Sequence, residues 1–182
     1  EREEDYSLIY KDSVLDKVEK IKDQFKKTYE KSVNFKNTSG FINSTIDSSG
    51  IFEFNNTVYI IMTLNEGMDY ERYKDESLKE VLKHIKSLAI LIKKYHDKGF
   101  LHLDIKPENI FVIPETTEHI YLFDFDSVIN VDQLENKRTM ELSYSDGYSA
   151  PEQIRGQIRN IGYHTDIYAI GAVLFYKIFG RA

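Results

Sequence analysis

The chain has 182 residues, 41% of them hydrophobic and 30% charged, with a formal net charge of −6; this is the profile of a single folded soluble domain rather than a disordered segment. The acidic balance argues against an obligate nucleic-acid binder, which needs clustered Lys and Arg to neutralise phosphates. The lack of cysteine removes disulfides, thiolate metal sites and thiol nucleophiles. No apolar run approaches the ~20 residues of a bilayer span, and the acidic start Glu1 to Asp5 is unlike a signal peptide. A cytoplasmic or host-delivered protein is expected.

Val14, Leu15, Val18, Ile21 and Phe25 recur at spacings of three and four. They predict a helix within residues 11–31, capped by Asp12 or Ser13 and solvated on its Lys- and Glu-rich face. Residues 34–49 turn to Asn, Ser, Thr and Gly, a loop with a short strand around Phe41 to Ile46. Ile51 to Phe54 and Val58 to Met62 flank Asn55-Asn56, a turn pair that tolerates positive φ, and predict a β-hairpin. Thr63 to Gly67 reads as a linker. Leu78, Val81, Leu82, Ile85, Leu88, Ala89 and Ile92 predict a helix over 75–97, stopped by Gly99. His84 and His96 are expected to be structural or surface histidines, because the sequence pairs neither with an acid at metal-ligand spacing.

The segment His102-Leu103-Asp104-Ile105-Lys106-Pro107-Glu108-Asn109 is followed by strand-like Ile110 to Ile113 and a polar connection, Pro114 to Glu118. A second apolar run then ends in Asp124-Phe125-Asp126. Two strands joined this way would bring both acids to one site. These residues resemble the catalytic loop and Asp-Phe-Gly segment of protein kinases. Gly147-Tyr148-Ser149-Ala150-Pro151-Glu152-Gln153 resembles the Ala-Pro-Glu segment that closes the kinase activation loop, in a form similar to bacterial serine/threonine enzymes. His164 to Gly171, with the apolar residues 172–179, resembles the core helix of the kinase large lobe.

The resemblance implies an α+β, kinase-like two-lobe fold. It would be a single partial domain over residues 1–182, truncated at both ends. Residues 1–65, approximately, would be a β-containing remnant of the small lobe and hinge, and 66–182 an incomplete, mainly helical large lobe. The implied function is transfer of the ATP γ-phosphoryl group to protein Ser/Thr hydroxyls, with Mg²⁺. Asp104 would orient or accept the proton of the attacking hydroxyl, and Lys106 would place positive charge on the transferring group. Asn109 and Asp124 would offer oxygen ligands to Mg²⁺. Met62 would line the adenine pocket, and the backbone of Thr63, Leu64 and Asn65 would form the hinge that binds the purine. Glu19 is a candidate for the small-lobe helix glutamate. Ser145 falls where such kinases place a hydroxyl against the catalytic acid and lysine, and is otherwise an ordinary loop serine. Asp166 would hold the catalytic-loop backbone.

Two residues depart from the family pattern. Leu103 replaces the arginine that answers a phosphorylated activation loop, which argues against regulation by that route. Asp126 replaces a glycine and restricts backbone freedom there. A glycine-rich phosphate loop with its lysine is not found ahead of the first helix, nor are helices beyond residue 180. The expectation is a fragment of a larger kinase, because the apolar 167–179 helix would otherwise be left uncovered. Two further functions stay open: an inactive pseudokinase scaffold, and a small-molecule phosphotransferase of the aminoglycoside or choline kinase type, which shares Asp-Phe-Asp.

Overall fold

The computed structural model describes residues 14, 16–27, 29–30, 46–62, 67–75, 77–114, 120–135 and 144–180, with backbone alone at 46–49, 62, 133 and 135. The chain divides into two compact units, Glu1–Thr63 and Leu64–Ala182. Helices and strands are mixed in an α+β arrangement.

In the first unit, helix α1 (residues 16–27, with 14 and 29–30 also helical) accompanies an antiparallel hairpin of β1 (Ile46–Phe54) and β2 (Thr57–Met62). Asn55 and Asn56 take φ of 47° and 57°, the paired left-handed turn expected from that dipeptide. Charge ties helix to hairpin. Lys22, largely buried, bonds Glu53 and donates to Asn56 Oδ1 at 2.8 Å, and Lys26 donates to Glu53 Oε2 at 2.8 Å. Tyr29 adds a further link, its hydroxyl accepting from Gly50 N at 3.2 Å. Glu19 pairs with Lys22 on its own helix at 3.0 Å. The proposed caps Asp12 and Ser13 lie outside the described residues, as does the expected strand at Phe41 up to residue 45; Ile46 opens β1.

The second unit is organised by two helices that pack together, α2 (Leu78–His96) and α5 (Tyr163–Phe179). Helix α2 begins three residues later than the pattern suggests, because Ser77 Oγ accepts from Glu80 N at 3.3 Å and sets the N-cap. Lys93, Lys94 and His96 crowd its last turn, where cations suit the helix dipole. Its buried face is Val81, His84, Leu88, Leu91, Ile92 and Tyr95.

Strands β3 (Met68–Asp69), β5 (Ile110–Val112) and β6 (Ile120–Leu122) form an antiparallel sheet in the order β3-β5-β6. Strand β4 (Phe100–Leu101) pairs with β7 (Ile129–Asn130), ahead of short helices α3 (Val131–Glu135) and α4 (Pro151–Ile154). Gly67 precedes β3 at a point of close approach, where a Cβ would lie 2.5 Å from the Val112 carbonyl oxygen. Leu88, Ile92, Leu101, Ile110, Val112 and Val173 are completely buried.

Helix α5 is apolar nearly all round but buries one side only, through Thr165, Asp166, Ala169, Ile170 and Val173. Ile167, Phe175, Ile178 and Phe179 are exposed. Among the described residues, no helix is long and apolar enough to cross a membrane.

The Lys22 and Lys26 ammonium groups hold the Glu53 carboxyl at about 2, below its ordinary 4.5. A depressed acid contributes stability that is complete above 4.5 and is lost as the pH falls through about 2. Denaturation midpoints of wild type and Glu53→Gln are therefore expected to converge as the pH drops through that window. A gap that stays constant would show that Glu53 carries no such linkage.

Candidate active site

The site is built outward from a buried carboxylate. Asp166, in the first turn of α5, is fully buried. Its Oδ1 accepts from Leu103 N at 2.9 Å; its Oδ2 accepts from His102 N at 3.0 Å and pairs with His96 Nε2 at 2.8 Å. Three donors compensate for removing this charge from water. The backbone of the 102–103 segment is thus fixed to the core.

That grip holds an unfavourable conformation. Leu103 has φ 62°, a left-handed region that costs a non-glycine residue roughly 1–2 kcal/mol. Its carbonyl accepts from Gln153 Nε2 at 2.6 Å, and its side chain packs with Leu101, Ile129 and Ile161 in a buried cluster. The residue is therefore anchored at both backbone groups and by its side chain. His102, fully buried, packs its ring against Tyr95 and Phe125 at 6.1 and 6.3 Å between centroids. Burial lowers its pKa, outweighing the attraction of the Asp166, Asp104 and Asp124 carboxylates. A neutral ring in a packing role follows.

From this fixed base Asp104 projects, with its side chain 9% exposed. Ser145 Oγ donates to Asp104 Oδ1 at 2.8 Å. Lys106 Nζ and Asn109 Nδ2 both donate to Oδ2, at 3.0 and 2.8 Å. Lys106 also reaches Ser145 Oγ at 3.1 Å, and Asn109 Nδ2 bonds the Asp104 carbonyl at 2.9 Å. One carboxylate, one ammonium, one amide and one hydroxyl thus share a single network. Ser145 is set in place by its own turn: its carbonyl accepts from Tyr148 N and Ser149 N, and Ser149 Oγ accepts from Ser145 N at 2.9 Å.

Sheet pairing supplies the other acid. Strands β5 and β6 align Ile110 with Leu122, and Phe123 N donates to Asn109 O at 2.9 Å. Asp124 follows directly, exposed, with φ 59°. Strained φ at a non-glycine residue is often kept at functional positions. The Asn109 amide nitrogen is spent on Asp104, which leaves its oxygen for another partner. An exposed carboxylate at Asp124 completes a set of hard oxygen donors, the chemistry that suits a divalent cation completed by phosphate and water. The residues present fit such an ion.

Of the residues expected from sequence, Asp104, Lys106 and Asn109 are brought together, and Asp124 is aligned beside Asn109. Met62 ends β2 with its side chain outside the described set, and Thr63, Leu64 and Asn65 lie outside the described residues altogether. The two histidines have acid partners that their spacing did not reveal: His84 Nδ1 sits 2.7 Å from Asp75 Oδ1, and His96 meets Asp166 from seventy residues away. Glu152 accepts from Thr165 Oγ1 at 2.8 Å. Gln153 was not anticipated as an anchor; its place after Ala150-Pro151-Glu152 was the available signal.

Replacing Asp166 by Ala leaves the amides of His102 and Leu103 buried without an acceptor. A loss of roughly 3 kcal/mol in unfolding free energy is expected from two such orphaned groups. A denaturant titration giving less than about 1 kcal/mol would contradict the anchoring role.

The sequence matches the protein kinase domain model over residues 5–182. It is 30% identical over 137 residues to "Probable serine/threonine-protein kinase PknB" of Lactococcus lactis, covering 73% of this chain and 21% of that protein. It is 29% identical over 147 residues to calcium-dependent protein kinase 27 of Arabidopsis thaliana, covering 75% and 29%. With smooth muscle myosin light chain kinase of Gallus gallus the identity is 26% over 132 residues, covering 69% and 7%. The chain thus spans less than a third of the length of each of these relatives. The chain belongs to the protein kinase domain family.

Proposed function

We propose that this domain serves a serine/threonine protein kinase, moving the γ-phosphoryl group of ATP to hydroxyl groups of protein substrates with Mg²⁺ as the cation. The observation that carries this reading is the Asp104 network, in which a carboxylate already holds a hydroxyl, that of Ser145, beside an ammonium. Asp104 is assigned to orient the acceptor hydroxyl and take its proton as the new O–P bond forms and the bond to the ADP oxygen breaks. Lys106 is assigned to offset negative charge on the transferring group. Asn109 holds Asp104 through its amide nitrogen and, with Asp124, is assigned to bind the cation. When bound, that cation neutralises phosphate charge.

Two observations support Ser/Thr acceptors in this reading: one relative is named a probable serine/threonine-protein kinase, and the Ser145 hydroxyl occupies the space beside Asp104. The adenine contact is assigned to Met62, Thr63, Leu64 and Asn65 from the family resemblance alone. Residues 1–65 are read as small lobe and hinge and residues 66–182 as large lobe within one kinase domain. A cytoplasmic setting, which supplies ATP and Mg²⁺, suits the reading.

Radiolabel transfer from ATP to a general protein acceptor by the full-length protein is expected to fall roughly 10²-fold or more in Asp104→Asn. The product should be phosphoserine or phosphothreonine. Transfer that persists unchanged in the variant would refute the assignment of Asp104, and nucleotide binding without any turnover in wild type would instead favour a scaffold.

A further inference from the structure

Beneath the candidate site lies a second polar cluster, assembled in the same unit from the 70–75 segment, helix α2 and helix α5. Lys177 is set in the apolar run that ends α5, yet its side chain is 7% exposed. Its ammonium donates to the carbonyls of Tyr70 and Tyr73 at 3.0 and 2.5 Å. It also lies 4.1 Å from the centre of the Tyr70 ring. Asp75 Oδ2 is 3.0 Å away, forming an ion pair with it. Asp75 Oδ1 in turn takes His84 Nδ1 at 2.7 Å and the Tyr70 hydroxyl at 3.1 Å. Burial alone would raise the Asp75 pKa, but His84 and Lys177 together hold it low.

Asp75, Glu80 and His84 could by spacing hold a metal ion. The Lys177 ammonium, however, already faces Asp75 Oδ2 and two carbonyl oxygens, and Tyr73 OH donates to Glu80 Oε1 at 2.6 Å. The cluster carries its own cation. It reaches the candidate site through Tyr70, which is fully buried. Tyr70 N donates to Ile110 O at 2.7 Å and to Pro107 O at 3.1 Å, the carbonyls on either side of Asn109. The adjoining β3 residues pair with β5, the strand that starts at Ile110.

We propose that Lys177 is a positioning residue: by fixing Tyr70 from below, it sets the Pro107 to Ile110 backbone and hence the aim of Asn109 at the cation. This rests on the reading of Asn109 as a cation ligand. Removing the ammonium frees the Tyr70 carbonyl and leaves Asp75 charged and half-paired, so the 70–75 segment can shift and the Asn109 turn with it. Such a fault alters how much Mg²⁺ strengthens nucleotide binding, whereas simple loss of folded protein lowers only the binding amplitude.

The test uses the full-length protein with a fluorescent ATP analogue, titrated with and without Mg²⁺, for wild type, Lys177→Met, Lys177→Arg and Tyr70→Phe. Wild type should bind more tightly with Mg²⁺. In Lys177→Met that Mg²⁺-dependent gain should fall at least fivefold, and Lys177→Arg, which keeps the charge, should recover most of it. Tyr70→Phe, which loses only the hydroxyl bond to Asp75, should show a smaller loss in the same direction and serves if Lys177→Met does not fold. A folded Lys177→Met, or in its place Tyr70→Phe, with the full wild-type Mg²⁺ gain would overturn the proposal. An Asn109→Ala control separates the two ideas: if it too keeps the full gain, it is the reading of Asn109 that fails and the proposal fails with it.

Discussion

Everything in the candidate site depends on one buried carboxylate. Asp166 enters the core with no exposure and accepts from the backbone amides of His102 and Leu103. A charge buried this deeply is tolerable only with full hydrogen bonding, so the carboxylate and the loop stabilise each other. The left-handed Leu103 can persist because Asp166 holds its N–H, Gln153 holds its carbonyl, and an apolar cluster holds its side chain. The loop is thereby aimed before any ligand arrives. Prior aiming is most of what the proposed phosphoryl transfer would ask of this loop.

The rest follows by short connections. Asp104 sits one residue past the gripped segment, and its oxygens are filled by Ser145, Lys106 and Asn109. Pairing of β5 with β6 then sets Asp124 beside Asn109 without any direct bond between their side chains being required. Two helices support the arrangement: α5 delivers Asp166 near its start and Lys177 near its end, and α2 delivers His84 and His96. The same helices that form the core thus position its polar features.

Much of this was legible in the sequence, for reasons that are local. The α2 pattern and the Asn55-Asn56 turn each depend on neighbours a few residues away; the turn is found where expected, and so is the helix apart from its first three residues. Ser145, left open between a site hydroxyl and a loop serine, bonds Asp104 and Lys106. What could not be read was pairing across the chain. Nothing near His84 or His96 names Asp75 or Asp166 as partner, and Lys177 in an apolar run gives no sign that it turns back to the Tyr70 and Tyr73 carbonyls. The value of Leu103 was also hidden. Sequence comparison marks it as a lost arginine, while in the fold it is an apolar anchor.

The most direct measurement is the turnover of the full-length protein carrying Asp166→Asn, taken at a temperature where both it and wild type are folded. With the proposed kinase function, a displaced 102–109 loop should lower kcat roughly tenfold or more, since small misplacements of reacting groups have large effects, with the KM for ATP little changed. A folded Asp166→Asn protein that retains wild-type kcat would contradict the dependence of the site on that carboxylate.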